Sequence, residues 1–250
     1  MRYMGGKALN GKKIARLMSN DIQAAGVYVE PFVGGCNVIR YVSPSVVRVG
    51  SDAHLPLVAM WSALSTGWLP PRGITEDDYK AIKQTHGYGF LPLYAYAGFG
   101  LSFGGKWWGG YTRDNALRDY NAEAYNTTTQ KSHNIKNVWF LHADYTAWGW
   151  LRGAVIYCDP PYEDTTGFKG VAPFISNDFW QWVDKMAHHN IVYVSEQQTP
   201  LDSAVVVWTN EEQVAIRRND EAKTRTEYLY RVDHKNTSRG VPYQMSLFEI

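Results

Sequence analysis

The first apolar run of the chain, VYVEPFVGG from Val27 to Gly35, reads as a buried strand that opens into a glycine turn. Ahead of it, KALNGKKIARLMSN predicts a short helix ending near Asn20, and after it NVIRYV predicts a crossover helix stopped near Pro44. VVRVGSD, Val46 to Asp52, predicts a second strand, and LPLVAMWSAL predicts a helix closed by Gly67. Strand, helix, strand, helix is the opening of a parallel sheet. From Trp68 to about Asn137 the pattern breaks into Gly, Pro, Tyr, Asn and Thr, with one predicted helix over Asp114 to Tyr125. Sheet logic resumes with VWFLHAD (Val138 to Asp144) and AVIYCDPPY (Ala154 to Tyr162). An amphipathic helix, NDFWQWVDKMAHH, follows, then a buried strand, NIVYVSEQ, and two antiparallel strands, VAIRR and TEYLYRV. The expected architecture is one α/β domain built from residues 1–67 and 138–250, interrupted by a mostly helical module over 68–137.

Ligands of open α/β sheets bind where strands end and loops converge. Four polar or glycine clusters fall at predicted strand ends: Glu30-Pro31-Phe32-Val33-Gly34-Gly35, Ser51-Asp52, Ala143-Asp144-Tyr145 and Asp159-Pro160-Pro161-Tyr162. Adjacent glycines between strand and helix permit a tight turn and close approach of backbone to a ligand. Asp52 suits an acceptor for ribose hydroxyls, or equally a cap for the helix that follows it. Asp159 and the backbone carbonyl of Pro160 can each accept a hydrogen from an aromatic amine. Those bonds favour a more tetrahedral nitrogen and stabilise the positive charge that grows as the nitrogen attacks. The prolines hold these acceptors in one shape. The plainer reading of the same tetrapeptide is a rigid proline turn.

EPFVGG after one strand and DPPY after a later one, with Arg2-Tyr3-Met4-Gly5-Gly6-Lys7 near the start, resemble the adenine-specific DNA methyltransferases related to the Dam enzymes. The resemblance implies a Rossmann-like methyltransferase fold, S-adenosylmethionine as cofactor, and double-stranded DNA as partner. It also implies methyl transfer to adenine N6, with the target base flipped out of the duplex. By the same resemblance Asp159, Pro160 and Tyr162 are the catalytic group, Tyr162 stacking on the target base. Tyr3, Lys7, Glu30, Pro31, Phe32, Gly34, Gly35, Asp52, Asp144 and Tyr145 are expected to line the cofactor pocket. Lys7 is expected either on a cofactor carboxylate or near the target base. Pro173-Phe174 and Glu163 to Lys169 are expected as a lip over that base, and the 68–137 module as the part that reads DNA. This chain departs from the family at the glycine loop: the family has a second glycine two residues after the first, where this chain has Cys36.

Composition adjusts the picture only a little. A formal net charge of +1 does not announce a nucleic-acid binder, so any positive face must be local. Ten tryptophans and 17 tyrosines exceed what a small core needs and offer ring platforms for bases. Phe103-Gly104-Gly105-Lys106-Trp107-Trp108-Gly109-Gly110-Tyr111 joins such rings to a cation, and resembles a segment of phage-encoded members of the family. Lys106, Trp107, Trp108, Arg113 and Arg118 are therefore the expected DNA contacts. Arg217, Arg218, Lys223, Arg225, Arg231, Lys235 and Arg239 are expected mainly as a solvated face. His188 and His189 lack zinc-site spacing, and Cys36 and Cys158 make no disulfide framework, so neither a metal nor a stapled fold is expected. No run approaches ~18 apolar residues, and the N-terminus lacks a signal-peptide core, which leads to the expectation of a protein of the bacterial cytoplasm with no obligate protein partner. Methylation of RNA adenine or of cytosine N4 uses the same amine chemistry. A catalytically silent DNA-binding or scaffold protein would keep the fold alone.

Overall fold

The computed structural model of the chain describes residues 1, 3–115, 117–161, 173–214 and 223–234. Tyr162, the segment Glu163 to Lys169, and Arg217, Arg218, Lys235 and Arg239 lie outside the described residues. Seven strands form one sheet: β1 (Val27–Glu30), β2 (Val47–Asp52), β3 (Val138–His142), β4 (Val155–Cys158), β5 (Ile191–Glu196), β6 (Val205–Val214) and β7 (Lys223–Val232). Their order is β3-β2-β1-β4-β5-β7-β6. The first five strands run parallel, while β7 pairs antiparallel with both β5 and β6. This is the strand order of S-adenosylmethionine-dependent methyltransferases, here with helical insertions. Because β1 to β5 are parallel, Glu30, Asp52, His142, Cys158 and Glu196 end at one edge of the sheet, the edge where such sheets bind ligands.

Each strand alternates between two cores, as a pleated strand buried on both faces must. Tyr28, Val155, Tyr157 and Tyr193 enter the first core, while Val29, Ile156, Cys158, Val192 and Val194 enter the second. The second core is capped by α7 (Ser176–Ala187), which buries Phe179, Trp180, Trp182, Val183, Met186 and Ala187 at helical spacing. The first core takes α1 (Gly11–Leu17), α2 (Ser19–Ala25) and α3 (Leu55–Ser65). It continues without a break into the 68–137 segment through Tyr79, Tyr96, Phe99, Leu101, Ala124 and Ile135. Among the described residues the 68–137 segment has no separate core and completes one face of the sheet.

Three expectations about helices change. The N-terminal helix breaks at Met18 and resumes to Ala25, where Gly26 ends it in the left-handed conformation (φ 72°). The crossover helix expected after the glycine loop is only a turn of 3-10 helix, Ile39–Tyr41. Cys36, Val38, Ile39 and Val42 are buried and only Arg40 and Tyr41 reach the surface, so this short piece before Pro44 stays one turn long, with α1 packed against it. Within the insertion, α4 (Glu76–Gln84) starts at a Thr75–Asp78 capping box and α5 (Leu91–Ala95) runs into a π turn over Tyr96–Gly100. The helix expected over Asp114 to Tyr125 is α6, Tyr120–Ser132. Asp114 is not inside it: its carboxylate accepts the Tyr120 N–H (2.6 Å), and Asp119 caps the helix by accepting from Ala122 (2.7 Å). The helix runs on past Tyr125 to Ser132, and the hydroxyls of Thr127 and Thr129 donate back to the carbonyls of Glu123 and Tyr125.

Phe99 joins the insertion to the rest of the molecule. Its fully buried ring lies 5.2 Å from Tyr3, 5.2 Å from His54 and 4.6 Å from Trp107. Phe99→Ala is expected to lower stability by about 3–5 kcal/mol, measured as a reduced midpoint in urea unfolding.

Candidate active site

One cleft of about 360 Å³ opens at the carboxyl edge of the sheet. Tyr3, Lys7, Glu30, Pro31, Phe32, Gly34, Gly35, Asp52, Asp144, Tyr145, Asp159 and Pro160 all line it. Every described residue expected at the cofactor or catalytic site thus comes to one place, from segments far apart in sequence. Pro173 and Phe174 line it as well. Phe174 stands edge-on to Phe32 at 6.1 Å, so it belongs to an aromatic wall. That wall is built on Phe32 and Tyr145, which stack at 5.5 Å and rest on Phe179.

The glycine loop is held from three sides. The N–H of Gly34 donates to Asp52 Oδ2 (3.0 Å), and its carbonyl accepts from Trp61 Nε1 (2.8 Å). The next carbonyl, that of Gly35, accepts from Lys131 Nζ, which also donates to Asn37 Oδ1 (2.8 Å). The Tyr3 ring covers the loop so closely that a Cβ at Gly35 would lie 3.0 Å from Tyr3 Cβ and 2.9 Å from Asn37 Nδ2. Gly34 has φ +43°, and Cys36, in the place of the family's second glycine, has φ 51°. The loop therefore makes a left-handed turn at Cys36, at the steric cost of a side chain there.

Asp52 does not cap the helix that follows it. His54 does so, accepting from Leu57 N–H (3.3 Å), while Asp52 Oδ1 accepts the His54 N–H (2.9 Å). Burial raises the Asp52 carboxyl to about 6, against the opposing pull of the His54 and Gly34 N–H groups. Asp144 accepts from Thr146 N–H (3.0 Å) and its hydroxyl (2.9 Å), so it caps the turn that carries Tyr145 into the wall.

Lys7 is buried. Its ammonium is buried between Asp159 Oδ1 (2.6 Å) and Glu227 Oε1 (2.9 Å), which places it at the DPPY end of the cleft. Burial raises the Asp159 pKa, Lys7 pulls it down, and Glu227 pushes it further up. Glu196 at the end of β5 is raised to about 6, chiefly by burial and also by Asp159. Around Asp159 the Lys7 ammonium and the Arg225 guanidinium are thus set against the carboxyls of Glu227 and Glu196. On the same floor, burial raises Glu30 to about 8, although the Tyr28 hydroxyl donates to its Oε2 at 2.8 Å.

Sequence reasoning missed Lys131, Trp61, Asn37, Glu196 and Glu227. Only Asn37, beside the glycine loop, and Glu227, a lone acid in an apolar strand, carried any local signal. The expected DNA contacts divide. Lys106 is exposed, while Arg113 and Arg118 are exposed in paired hydrogen bonds with Glu76 and Glu123. Trp107 and Trp108 turn inward: Trp107 lies 4.4 Å from His54, Trp108 lies 4.9 Å from Tyr79, and a Cβ on Gly98 would come within 2.4 Å of Trp107. Their rings are packing groups here, because the flanking glycines let the chain fold them onto the core. Away from the cleft, Asp184, His188 and His234 bring donor atoms within 4.8 Å of one another, which their spacing in sequence did not suggest. A His234 Nε2–Asp184 Oδ1 contact of 2.9 Å ties α7 to the end of β7 there. Cys36 and Cys158 are buried free thiols, and no helix among the described residues is long and apolar enough to cross a membrane. No protein-family model and no curated protein matches the chain, so the fold and this cleft carry the functional reading.

Glu30 sets the sign of one pH effect. Its folded pKa of about 8 lies above its ordinary 4.5, so between those values the folded state holds more protons than the unfolded one. Its contribution is complete below the lower value and is lost as pH rises through the higher one. Asp52 and Glu196 act with the same sign over narrower windows. Urea midpoints measured from pH 4.5 to 8 should fall as pH rises, and Glu30→Gln should flatten that slope.

Proposed function

We propose that this protein transfers a methyl group from S-adenosylmethionine to N6 of adenine in a short sequence of double-stranded DNA, with the target base flipped into the cleft. The observation that carries the reading is the placement of Asp159 and Pro160 in the same cleft as the Gly34-Gly35 loop and Asp52, within a methyltransferase-type sheet.

The residues fit the cofactor by their chemistry. Asp52 offers carboxylate lone pairs to ribose hydroxyls, Gly34 and Gly35 line the cleft beside Tyr3 where a methionine moiety would sit, and Phe32 with Tyr145 gives an adenine ring an apolar wall. Asp144 and the Glu30-Pro31 turn complete that side, and Tyr3 shields the loop. When bound, S-adenosylmethionine supplies a methyl group already activated on a sulfonium. The protein's task is then to raise the nucleophilicity of an amine and to stabilise its charge. Lys7 takes one oxygen of Asp159, and a carboxylate has a second with which to accept an amine hydrogen. The Pro160 carbonyl accepts the other hydrogen, and Tyr162 stacks on the flipped base. Lys7 holds Asp159 in place and favours its ionised form. On the outside, Lys106, Arg113 and Arg118 contact phosphates, the two arginines by exchanging exposed carboxylate partners. Trp107 and Trp108 act by shaping the insertion rather than by stacking on bases.

Incubation with unmodified duplex DNA and labelled S-adenosylmethionine, followed by nucleoside mass analysis, is expected to yield N6-methyladenine, and Asp159→Ala to abolish it. N4-methylcytosine, or product on RNA alone, would replace the substrate. Absence of both product and S-adenosylhomocysteine binding would sink the enzyme reading in favour of a silent scaffold. Lys7→Met removes the group that lowers the Asp159 pKa, so the acidic limb of the kcat/KM profile should move to higher pH. At pH 7 the rate should drop about tenfold or more.

A further inference from the structure

Lys131 is the least expected residue of the molecule. It sits near the end of α6, in the inserted 68–137 segment, yet it is 4% exposed and reaches behind the glycine loop. Its two hydrogen-bond acceptors, the Gly35 carbonyl and Asn37 Oδ1, are neutral oxygens. An ammonium taken out of water onto neutral acceptors is costly, and burial lowers its pKa to about 8. A purely structural helix position would be served as well by Met or Leu. The loop it grips needs holding, because Cys36 occupies a left-handed conformation between the two acceptors. Asn37, pinned through its oxygen, presents Nδ2 to the space beside Gly6 and Gly35, on the side where Tyr3 covers the loop. Trp61, whose ring lies 5.7 Å from the Lys131 ammonium, takes the neighbouring carbonyl of Gly34. With both carbonyls held from behind, the cleft side of the loop is fixed.

We propose that Lys131 is a positioning residue for the cofactor: from the inserted segment it fixes the Gly34-Gly35-Cys36-Asn37 loop in the shape that accepts the methionine end of S-adenosylmethionine. The inference rests on the cofactor reading above. It makes the cofactor pocket depend on the segment expected to meet DNA, so a shift of α6 is felt at the loop.

The test is calorimetric affinity for S-adenosylhomocysteine in the wild-type chain, Lys131→Met and Lys131→Gln, each checked for folding by circular dichroism and urea unfolding. Met keeps most of the length and removes the donor; Gln keeps a neutral amide donor. Lys131→Met should remain folded, the loss of a buried charge offsetting part of the cost of two unpaired buried acceptors, and should bind about tenfold or more weakly. Lys131→Gln should fall between the two. Equal affinity in all three proteins would overturn the proposal, as would failure of both variants to fold, since the lysine would then serve the fold alone. A wild-type protein that binds no S-adenosylhomocysteine would remove the cofactor reading itself, an outcome distinct from wild-type binding that the variants leave unchanged.

Discussion

The buried contact of Lys7 with Asp159 and Glu227 is the interaction on which the cleft depends. It joins the N-terminal segment, the end of β4 and the C-terminal strand β7 at one point. Three parts of the chain that share no local structure meet there because the sheet order puts β4 and β5 between β1 and β7. The ammonium offsets part of the repulsion between two carboxylates. Without it they would be close neighbours in a poorly solvated place, and one would have to keep its proton. With it, Asp159 can stay an acceptor in a buried place, as the proposed activation of an amine requires.

The carboxyl edge of the sheet was the most legible part in sequence. Each strand that feeds the cleft is a short apolar run stopped by an acid or a glycine, and parallel pairing brings those stops to one edge whatever the loops between them do. Glu30, Asp52, Asp144 and Asp159 needed nothing further. Long-range partners were illegible. Lys131 lies 96 residues from Gly35, in a helix reading TTTQKS, where a lysine ordinarily points to water. Glu227 and Glu196 take their meaning from Lys7 and Asp159, and no spacing in sequence links them.

The insertion shows the limit of composition most clearly. Glycines beside Trp107 and Trp108 suggested an open aromatic platform, but the same glycines allow the backbone to turn both rings onto Tyr79, His54 and Phe99. Count and spacing of aromatics do not say which way rings face; the neighbouring apolar surface decides it. The shifted start of α6 has a similar cause. Asp114 and Asp119 are both good caps, and only Asp119 is followed at once by a helical run, so Asp114 serves the helix from outside. The insertion shares the first core with the sheet, and it touches the cleft directly through Phe99 on Tyr3 and Lys131 on the Gly35 carbonyl.

The central claim is that one cleft holds both the methyl donor and the carboxylate that activates the amine. A crystal structure of the complex with S-adenosylhomocysteine tests it most directly. The account predicts the ribose hydroxyls on Asp52, the adenine against Phe32 and Tyr145, and the sulfur turned toward Asp159. Ligand bound elsewhere, or bound here with its sulfur turned away from Asp159, would contradict it.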